Sequence, residues 1–294
     1  MKTWSNGQII EGKKQVDSLN FSLHYAGPTA WEGIRSYLQH DGTTRIFKLR
    51  DHVERLFASA KIMGFEIPFS VDQIEQACIE VVDANGGGDL YLRPIAYGDF
   101  DAESIRPQGR KISVDIYAFP AMKLHQKPDG IKVGISHLVR GYPQYQMQAK
   151  TAANYAYLTQ SEAQAKALGV DDMLFVDNSG HITEATVANI LVVHGDVLTT
   201  PPNDGSILPG ITRHTLAKIL QNPRMPLKYR REPIVAEKKI TKADLYTADC
   251  VMLCGTYAEV ILVTEVDGRK LPGSVYYEIL KNEYAELTRG SKKP

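Results

Sequence analysis

The stretch from residue 173 to residue 199 constrains the fold most, because it holds four short strand-like runs with no helix between them. Asn178-Ser179-Gly180 and Gly195-Asp196 are typical hairpin turns. The four runs are residues 173–176, 182–184, 190–193 and 197–199. Consecutive hairpin strands do not alternate with helices, so the pattern disfavours a doubly wound parallel sheet and predicts an α+β fold.

Helical patterns lie on both sides of these hairpins. Residues 71–84 carry apolar side chains at spacings of three and four and precede Gly86-Gly87-Gly88, which predicts a helix ending at the glycines. Further helices are predicted from near Asp51 to 60 and at 154–168, 211–221 and 275–289, and further strands at 90–96, 112–119, 131–139, 251–254 and 260–264. Residues 121–130 are polar and aperiodic, which is typical of a linker. We therefore predict a small N-terminal α+β domain (1–119), an interdomain loop (120–130) and a larger β-rich α+β domain (131–294).

Composition excludes several classes of partner. The 34 lysines and arginines balance the 34 aspartates and glutamates, so the chain has no basic field for nucleic acid or an acidic membrane surface. No segment has the length of a membrane span or the apolar core of a signal peptide, so we expect a cytoplasmic protein. Cys78, Cys250 and Cys254 are too few and too scattered for a disulfide framework, and we expect buried apolar side chains and no metal site.

Three local features carry candidate chemistry, and each has a plain structural alternative. Lys150 is flanked by small residues before a predicted helix, where a planar group could approach; the alternative is a solvated charge. Glu184 lies in a hairpin otherwise short of charge, where it could pair with a buried cation; the alternative is an edge-strand carboxylate facing water. Ile211 and Thr212 begin a predicted helix whose backbone N–H groups favour a phosphate; the alternative is simple capping by Thr212.

A lysine, a carboxylate and a phosphate site are three of the four groups that a pyridoxal-phosphate enzyme must supply. The lysine forms an imine with the cofactor, and the carboxylate keeps the pyridine nitrogen protonated. The fourth group is a donor to the ring hydroxyl.

Six segments together resemble the branched-chain amino acid aminotransferases, which are fold type IV pyridoxal-phosphate enzymes. They occur in that family's order and spacing over nearly the whole chain. They are His24-Tyr25 with Trp31-Glu32-Gly33-Ile34-Arg35, Tyr91-Leu92-Arg93-Pro94, Ala149-Lys150 with Asn154-Tyr155, Ile182-Thr183-Glu184, Leu208-Pro209-Gly210-Ile211-Thr212-Arg213, and Gly255-Thr256-Tyr257-Ala258-Glu259. The resemblance implies a two-domain fold with the active site at the domain interface, and a homodimer or a higher homo-oligomer.

The resemblance also implies roles toward the cofactor. Lys150 would form the imine and then move the proton, as the catalytic residue. Tyr155 would hydrogen-bond the ring hydroxyl, and Glu184 would pair with the ring nitrogen. Arg55 would bind the phosphate, with the alternative that it is a solvated position on an amphipathic helix. The further phosphate ligands would be Ile211, Thr212 and Thr256.

The substrate carboxylate would be bound by Tyr91 together with the backbone amides of Thr256 and Tyr257. Arg93 would support this site from close by. Arg35 also matches a residue of the family pattern, and its structural alternative is a salt bridge on the surface. The opening motifs add Tyr25 and Trp31 to the expected substrate-binding residues.

The predicted activity is transamination between an apolar, branched-chain L-amino acid and 2-oxoglutarate, as in branched-chain amino acid biosynthesis. Four departures from the family pattern bear on the substrate: one extra residue between His24-Tyr25 and Trp31, residues 100–105, residues 119–124, and Tyr257 where a small residue is common. The alternatives in the same fold are a D-amino acid or (R)-amine transaminase, disfavoured by Tyr91 and Arg93, and an aminodeoxychorismate-lyase-like enzyme, disfavoured by the motif at residues 31–35. A non-catalytic module would not retain both Lys150 and Glu184.

Overall fold

The computed structural model of the chain describes residues 1–103, 111–121, 129–140, 147–221 and 234–290. They form two compact units. The first comprises Met1–Met122, Ala149–Ala156 and Thr288–Pro294, and the second comprises Lys123–Gln148 and Tyr157–Leu287. Much of the predicted interdomain loop, residues 122–128, lies outside the described residues, so the predicted domain boundaries stay a prediction.

The first unit is a sheet covered by two helices. The sheet order is β2-β1-β7-β6-β4-β5, and β3 also pairs with β6. The strands are β1 (Lys2–Ser5), β2 (Gln8–Glu11), β3 (Thr29–Trp31), β4 (Ile34–Leu38), β5 (Thr44–Ile46), β6 (Leu90–Gly98) and β7 (Ile112–Pro120). The helices are α1 (Phe21–Tyr25), α2 (Leu49–Ile62), α3 (Val71–Ala84) and a single 3₁₀ turn (Ala152–Tyr155).

Alternation along β6 separates the core of this unit from its polar residues. Leu92 and Ala96 pack into one apolar core with Leu56 of α2 and Ile74 of α3. Because successive side chains of a strand point to opposite faces, Tyr91 and Arg93 lie on the other face of the sheet.

The second unit is built on a sheet of nine strands. Its order is β10-β9-β8-β15-β14-β11-β12-β13 with β16 on β15, and β10 also pairs with β11, so that six of the strands close into a ring. The strands are β8 (Ile131–Val139), β9 (Asp172–Val176), β10 (Ile182–Ala185), β11 (Asn189–His194), β12 (Val197–Thr200), β13 (Ile234–Glu237), β14 (Cys250–Gly255), β15 (Glu259–Val266) and β16 (Arg269–Lys270). The helices are α4 (Leu158–Leu168), α5 (Ile211–Leu220), α6 (Lys242–Tyr246) and α7 (Val275–Arg289).

The hairpins predicted at residues 173–199 are present, because β9 pairs antiparallel with β10 and β11 pairs antiparallel with β12. The α+β class is therefore confirmed. The helix predicted to open at Asn154 is wrong at its start, since the α-helix begins only at Leu158. The preceding 3₁₀ turn is held by side chains instead: Asn154 Nδ2 donates to Ala149 O (2.9 Å), and Thr29 Oγ1 accepts from Ala152 N (3.2 Å).

All three cysteines are buried free thiols. Burial raises the pKa of Cys250 to about 11 and that of Cys254 to about 12. Among the described residues, no helix combines the length and apolar character needed to cross a membrane.

Candidate active site

Lys150 is half-buried beside two aromatic rings. Its Nζ donates to Tyr155 Oη at 2.6 Å and lies 4.0 Å from the centroid of the Trp31 ring. The Trp31 and Tyr155 rings are themselves 4.7 Å apart. An amine held between a hydroxyl and an indole face is not the solvated charge that the alternative required.

Backbone hydrogen bonds attach the Lys150 segment to β3 and α2. Trp31 N donates to Lys150 O (2.9 Å), and Lys150 N donates to Ser59 Oγ (2.9 Å). Ser59 Oγ in turn donates to Arg55 O on the same helix (2.8 Å). The backbone of residue 150 is thus anchored on both sides before the 3₁₀ turn that carries Tyr155.

Arg55 belongs to a buried ion pair. Its Nε and one terminal nitrogen donate to the two oxygens of Glu32 at 2.6 and 2.9 Å, and His52 Nδ1 lies 2.8 Å from Glu32 Oε2. Burial opposes the charge on Glu32, but Arg55 and His52 hold its pKa well below the usual range. Burial lowers the pKa of His52, while Glu32 outweighs burial and raises that of Arg55. Arg55 is therefore a fixed cation and not a solvated position on α2.

The first unit contains three of the residues predicted to bind the substrate carboxylate, Tyr91, Arg93 and Arg35. The Arg93 guanidinium lies 4.3 Å from the Trp31 ring centroid and 5.4 Å from that of Tyr91. Burial raises the pKa of Tyr91. Arg35 pairs with Tyr91 in the β4–β6 register and is 5% exposed, so it is not a surface salt bridge. A Cβ on Gly33 would overlap the Tyr91 hydroxyl, which explains the glycine in the motif at residues 31–35.

Tyr25 differs from the other predicted residues of this unit. It ends the short helix α1, is 48% exposed, and stacks its ring 4.7 Å from that of Phe21. Among the described residues, its ring contacts are with Phe21 and His24.

Glu184 is a buried carboxylate with fixed donors in the second unit. Its Oε2 accepts from Asn189 Nδ2 (3.0 Å) and Leu208 N (3.2 Å), and its Oε1 lies 3.4 Å from Arg140 NH2. Arg140 NH1 also donates to the carbonyls of Ala185 and Thr186, at 3.1 and 3.2 Å. Because Glu184 is only 3% exposed, the alternative of a water-facing edge charge is excluded.

The N-terminus of α5 carries no side-chain cap. Gly210 occupies the N-cap position, so Thr212 does not cap the helix, and its side chain is buried. Arg213 has a structural role, since it donates to Thr200, to Pro201 O and to Glu237. Thr256 and Tyr257 lie half-buried in the turn between β14 and β15.

The sequence profile of the family described as amino-transferase class IV matches residues 29–266. This chain belongs to that family. The class IV aminotransferase is 32% identical to the branched-chain-amino-acid aminotransferase of Pseudomonas aeruginosa, over 98% of this chain and 92% of that protein. Its fold is similar to that of the branched-chain aminotransferase of Thermoproteus uzoniensis solved with norvaline (TM-score 0.90, 33% identity, 99% and 95% of the two chains). It is also similar to the branched-chain amino acid aminotransferase of Thermobaculum terrenum solved in its PLP-bound holo form (TM-score 0.84, 27% identity, 98% and 94%).

These likenesses confirm the predicted family, the fold type IV class and the assignment as a pyridoxal-phosphate-dependent aminotransferase. Within the first unit of this aminotransferase, the fold brings Lys150, Tyr155, Trp31, Tyr91 and Arg93 together. The roles of the single residues and the placement of the active site at the domain interface stay predictions.

Five residues that hold the site residues of this aminotransferase in place were not predicted. They are Glu32, His52, Ser59, Arg140 and Asn189. Two of them left a signal in the sequence: Glu32 lies inside the motif at residues 31–35, and His52 precedes Arg55 by three residues on a predicted helix, which puts both on one face. The role of Arg140 becomes visible only in three dimensions.

Proposed function

We propose that this aminotransferase uses pyridoxal 5'-phosphate to transfer the amino group of an apolar, branched-chain L-amino acid to 2-oxoglutarate. The 2.6 Å contact between the Lys150 amine and the Tyr155 hydroxyl carries the proposal. The branched-chain preference is supported by the names of the relatives, and the norvaline in the similar Thermoproteus uzoniensis structure, which is apolar but unbranched, supports an apolar side chain.

The residues present fit this cofactor. Pyridoxal phosphate, when bound, supplies an electron sink for the negative charge that forms at the substrate α-carbon. The Lys150 amine holds and moves the proton at that carbon, and the Tyr155 hydroxyl directs the amine. The buried Glu184 carboxylate, held by Asn189 and Leu208, is suited to pair with a protonated ring nitrogen.

The phosphate group of the cofactor calls for donors in a fixed arrangement. Arg55 supplies a guanidinium held by Glu32, and the uncapped N-terminus of α5 supplies N–H groups at Ile211 and Thr212. We assign Thr256 to the same group of donors.

We assign the substrate carboxylate to Tyr91, Arg93 and the amides of Thr256 and Tyr257. Arg35, buried beside Tyr91, adds positive charge, and Trp31 and Tyr25 offer apolar surface. We also propose that the chain works as a homodimer, which light scattering of the purified protein would measure.

The test is an amino-donor panel with 2-oxoglutarate, scored by L-glutamate formation. The donors are L-leucine, L-isoleucine, L-valine, aromatic L-amino acids, D-alanine and (R)-1-phenylethylamine. We expect the three branched-chain amino acids to give the highest kcat/KM, although one methylene in an apolar pocket changes discrimination by only about 1–3 kcal/mol. Activity confined to D-alanine and (R)-1-phenylethylamine would overturn the substrate assignment.

The lysine assignment has its own test. We expect the Lys150→Ala protein to lose activity by at least about 10³-fold and to form no borohydride-fixed adduct with the cofactor. Lys166→Ala, which removes an exposed lysine of α4, should retain both properties. A borohydride-fixed adduct in the Lys150→Ala protein would show that another lysine binds the cofactor.

A further inference from the structure

Glu32 is assigned no contact with the cofactor or the substrate in the proposed reaction, yet its side chain is completely buried. Its side chain is 0% exposed. It accepts hydrogen bonds from Nε and one terminal nitrogen of Arg55, from His52 and from Gly33 N (3.2 Å). The adjacent residue Trp31 donates its backbone N–H to Lys150 O. Glu32 follows Trp31 directly in the sequence, and its carboxylate is held in one position by these donors.

The geometry of the pair fixes the guanidinium of Arg55. Nε and one terminal nitrogen each bond a different oxygen of Glu32, so the plane of the guanidinium is set by the plane of the carboxylate. His52 Nδ1 holds the carboxylate from a second side, and since the pKa of the buried His52 is lowered, a neutral ring with a proton on Nδ1 can serve as that donor.

We infer that Glu32 is a positioning residue that, together with His52, holds Arg55 in the single orientation in which the guanidinium binds the cofactor phosphate. The inference rests on the proposed function, in which Arg55 is a phosphate ligand. It assigns a specific task to the acidic residue of the motif at residues 31–35.

Two effects of Glu32 on phosphate binding oppose each other. Its negative charge repels a phosphate, whereas its two hydrogen bonds remove the orientational freedom of a long side chain before the ligand arrives. Immobilising a flexible side chain on binding weakens the affinity for the ligand by up to about tenfold. Without Glu32, Arg55 would also form hydrogen bonds with other acceptors. We therefore expect orientation to outweigh repulsion.

The experiment isolates the phosphate contribution in the full-length apoenzyme. Spectroscopic titration gives the dissociation constants of pyridoxal 5'-phosphate and of pyridoxal, which lacks the phosphate. The pyridoxal constant divided by the pyridoxal 5'-phosphate constant is the ratio used below. This ratio reports the contribution of the phosphate group alone. We expect Glu32→Gln to lower this ratio by about tenfold while the affinity for pyridoxal changes by less than about threefold. Glu75→Gln, which removes a partly exposed partner of Arg50 on the neighbouring helix, should leave the ratio unchanged.

Arg55→Gln separates this inference from the proposed function. If Arg55→Gln lowers the ratio and Glu32→Gln leaves it unchanged or raises it, Glu32 does not position Arg55, and the phosphate role of Arg55 stands. If Arg55→Gln leaves the ratio unchanged, both the phosphate role of Arg55 and the inference are overturned.

Two variants of His52 keep the inference testable if Glu32→Gln does not fold. His52→Leu removes the donor to Glu32, whereas the side-chain amide of His52→Asn can take the place of Nδ1. We expect the ratio to fall several-fold in His52→Leu and to stay near the wild-type value in His52→Asn. Equal ratios in the two variants would overturn the inference. If His52 had a purely structural role, the amide of His52→Asn would not restore the contribution of the phosphate to binding.

Discussion

Two buried carboxylates of this aminotransferase each lie beside an arginine. Glu32 bonds Arg55 in the first unit, and Glu184 lies beside Arg140 in the second. Burying such pairs stabilises a protein little compared with apolar packing, while removal of one partner is costly. Their presence is therefore weak evidence for stability and agrees with the roles proposed above for Arg55 and Glu184.

At the residue scale, Tyr155→Phe tests the hydroxyl that accepts from Lys150. The ring and its packing on Trp31 remain, but the amine loses its 2.6 Å partner. Because a hydrogen bond to a charged group is worth about 1.5–3 kcal/mol, we expect kcat to fall by about 10- to 100-fold with little change in the melting temperature. Tyr157→Phe, two residues along and packed 6.1 Å from the Phe175 ring, is the matched control and should keep wild-type kcat.

The buried Glu32 carboxylate also predicts a pH dependence of stability. Its pKa is lowered in the folded protein, so its contribution is fully present above the unfolded pKa of about 4.3 and is lost as the pH falls below it. We expect the difference in unfolding free energy between wild type and Glu32→Gln to shrink by about 1.4 kcal/mol per pH unit below about pH 4. Urea unfolding at pH 7, 4 and 3 measures it, and a constant difference would contradict the assignment.

At the element scale, three of the predicted site residues lie where elements begin or turn. Lys150 precedes the 3₁₀ turn, Thr256 lies between β14 and β15, and Thr212 lies in the first turn of α5. Such junctions leave backbone N–H groups without partners inside the element, and these groups can bind anions. Regular elements supply the rigid support, as β10 does for Glu184.

The junction before α5 gives a prediction for Gly210. A Cβ at this position would overlap the Asn189 side-chain oxygen, and Asn189 holds Glu184. We expect Gly210→Ala to lower the free energy of unfolding by about 1–3 kcal/mol through overpacking and to reduce activity by displacing Glu184. In Gly255→Ala the nearest atom, Val187 O, lies 3.5 Å away, so its stability should stay close to that of wild type; equal stabilities of the two variants would be evidence against this packing.

At the scale of the whole molecule, cofactor binding and folding are linked. A ligand that binds only the folded chain stabilises it by about 2.7 kcal/mol at one hundred times its dissociation constant. We expect pyridoxal 5'-phosphate to raise the melting temperature of the apoenzyme by several degrees in calorimetry. The rise should be much smaller in Lys150→Ala, and an identical rise would argue against a bond to Lys150.

The sequence by itself predicted the α+β class, the family and the approximate bounds of the longer helices and of the strands between residues 90 and 199, but not strands β1–β4 or helix α1. Hairpin turns, apolar periodicity and local motifs are short-range features that can be recognised without knowing what packs against them. For the same reason helix α3 and strand β8 lie at the predicted residues. Motif spacing also singled out Lys150, Tyr155 and Glu184.

Only the tertiary structure decided which of these residues are buried, paired and held. Glu32 and Arg55 are 23 residues apart, and Lys150 N reaches Ser59 Oγ across 91 residues. The late start of the helix at Leu158 has the same origin, because Ala152 N of the 3₁₀ turn donates to Thr29 Oγ1, which is 123 residues away along the chain. Hydrogen bonds between distant segments compete with local helix formation, and periodicity along the chain carries no information about them.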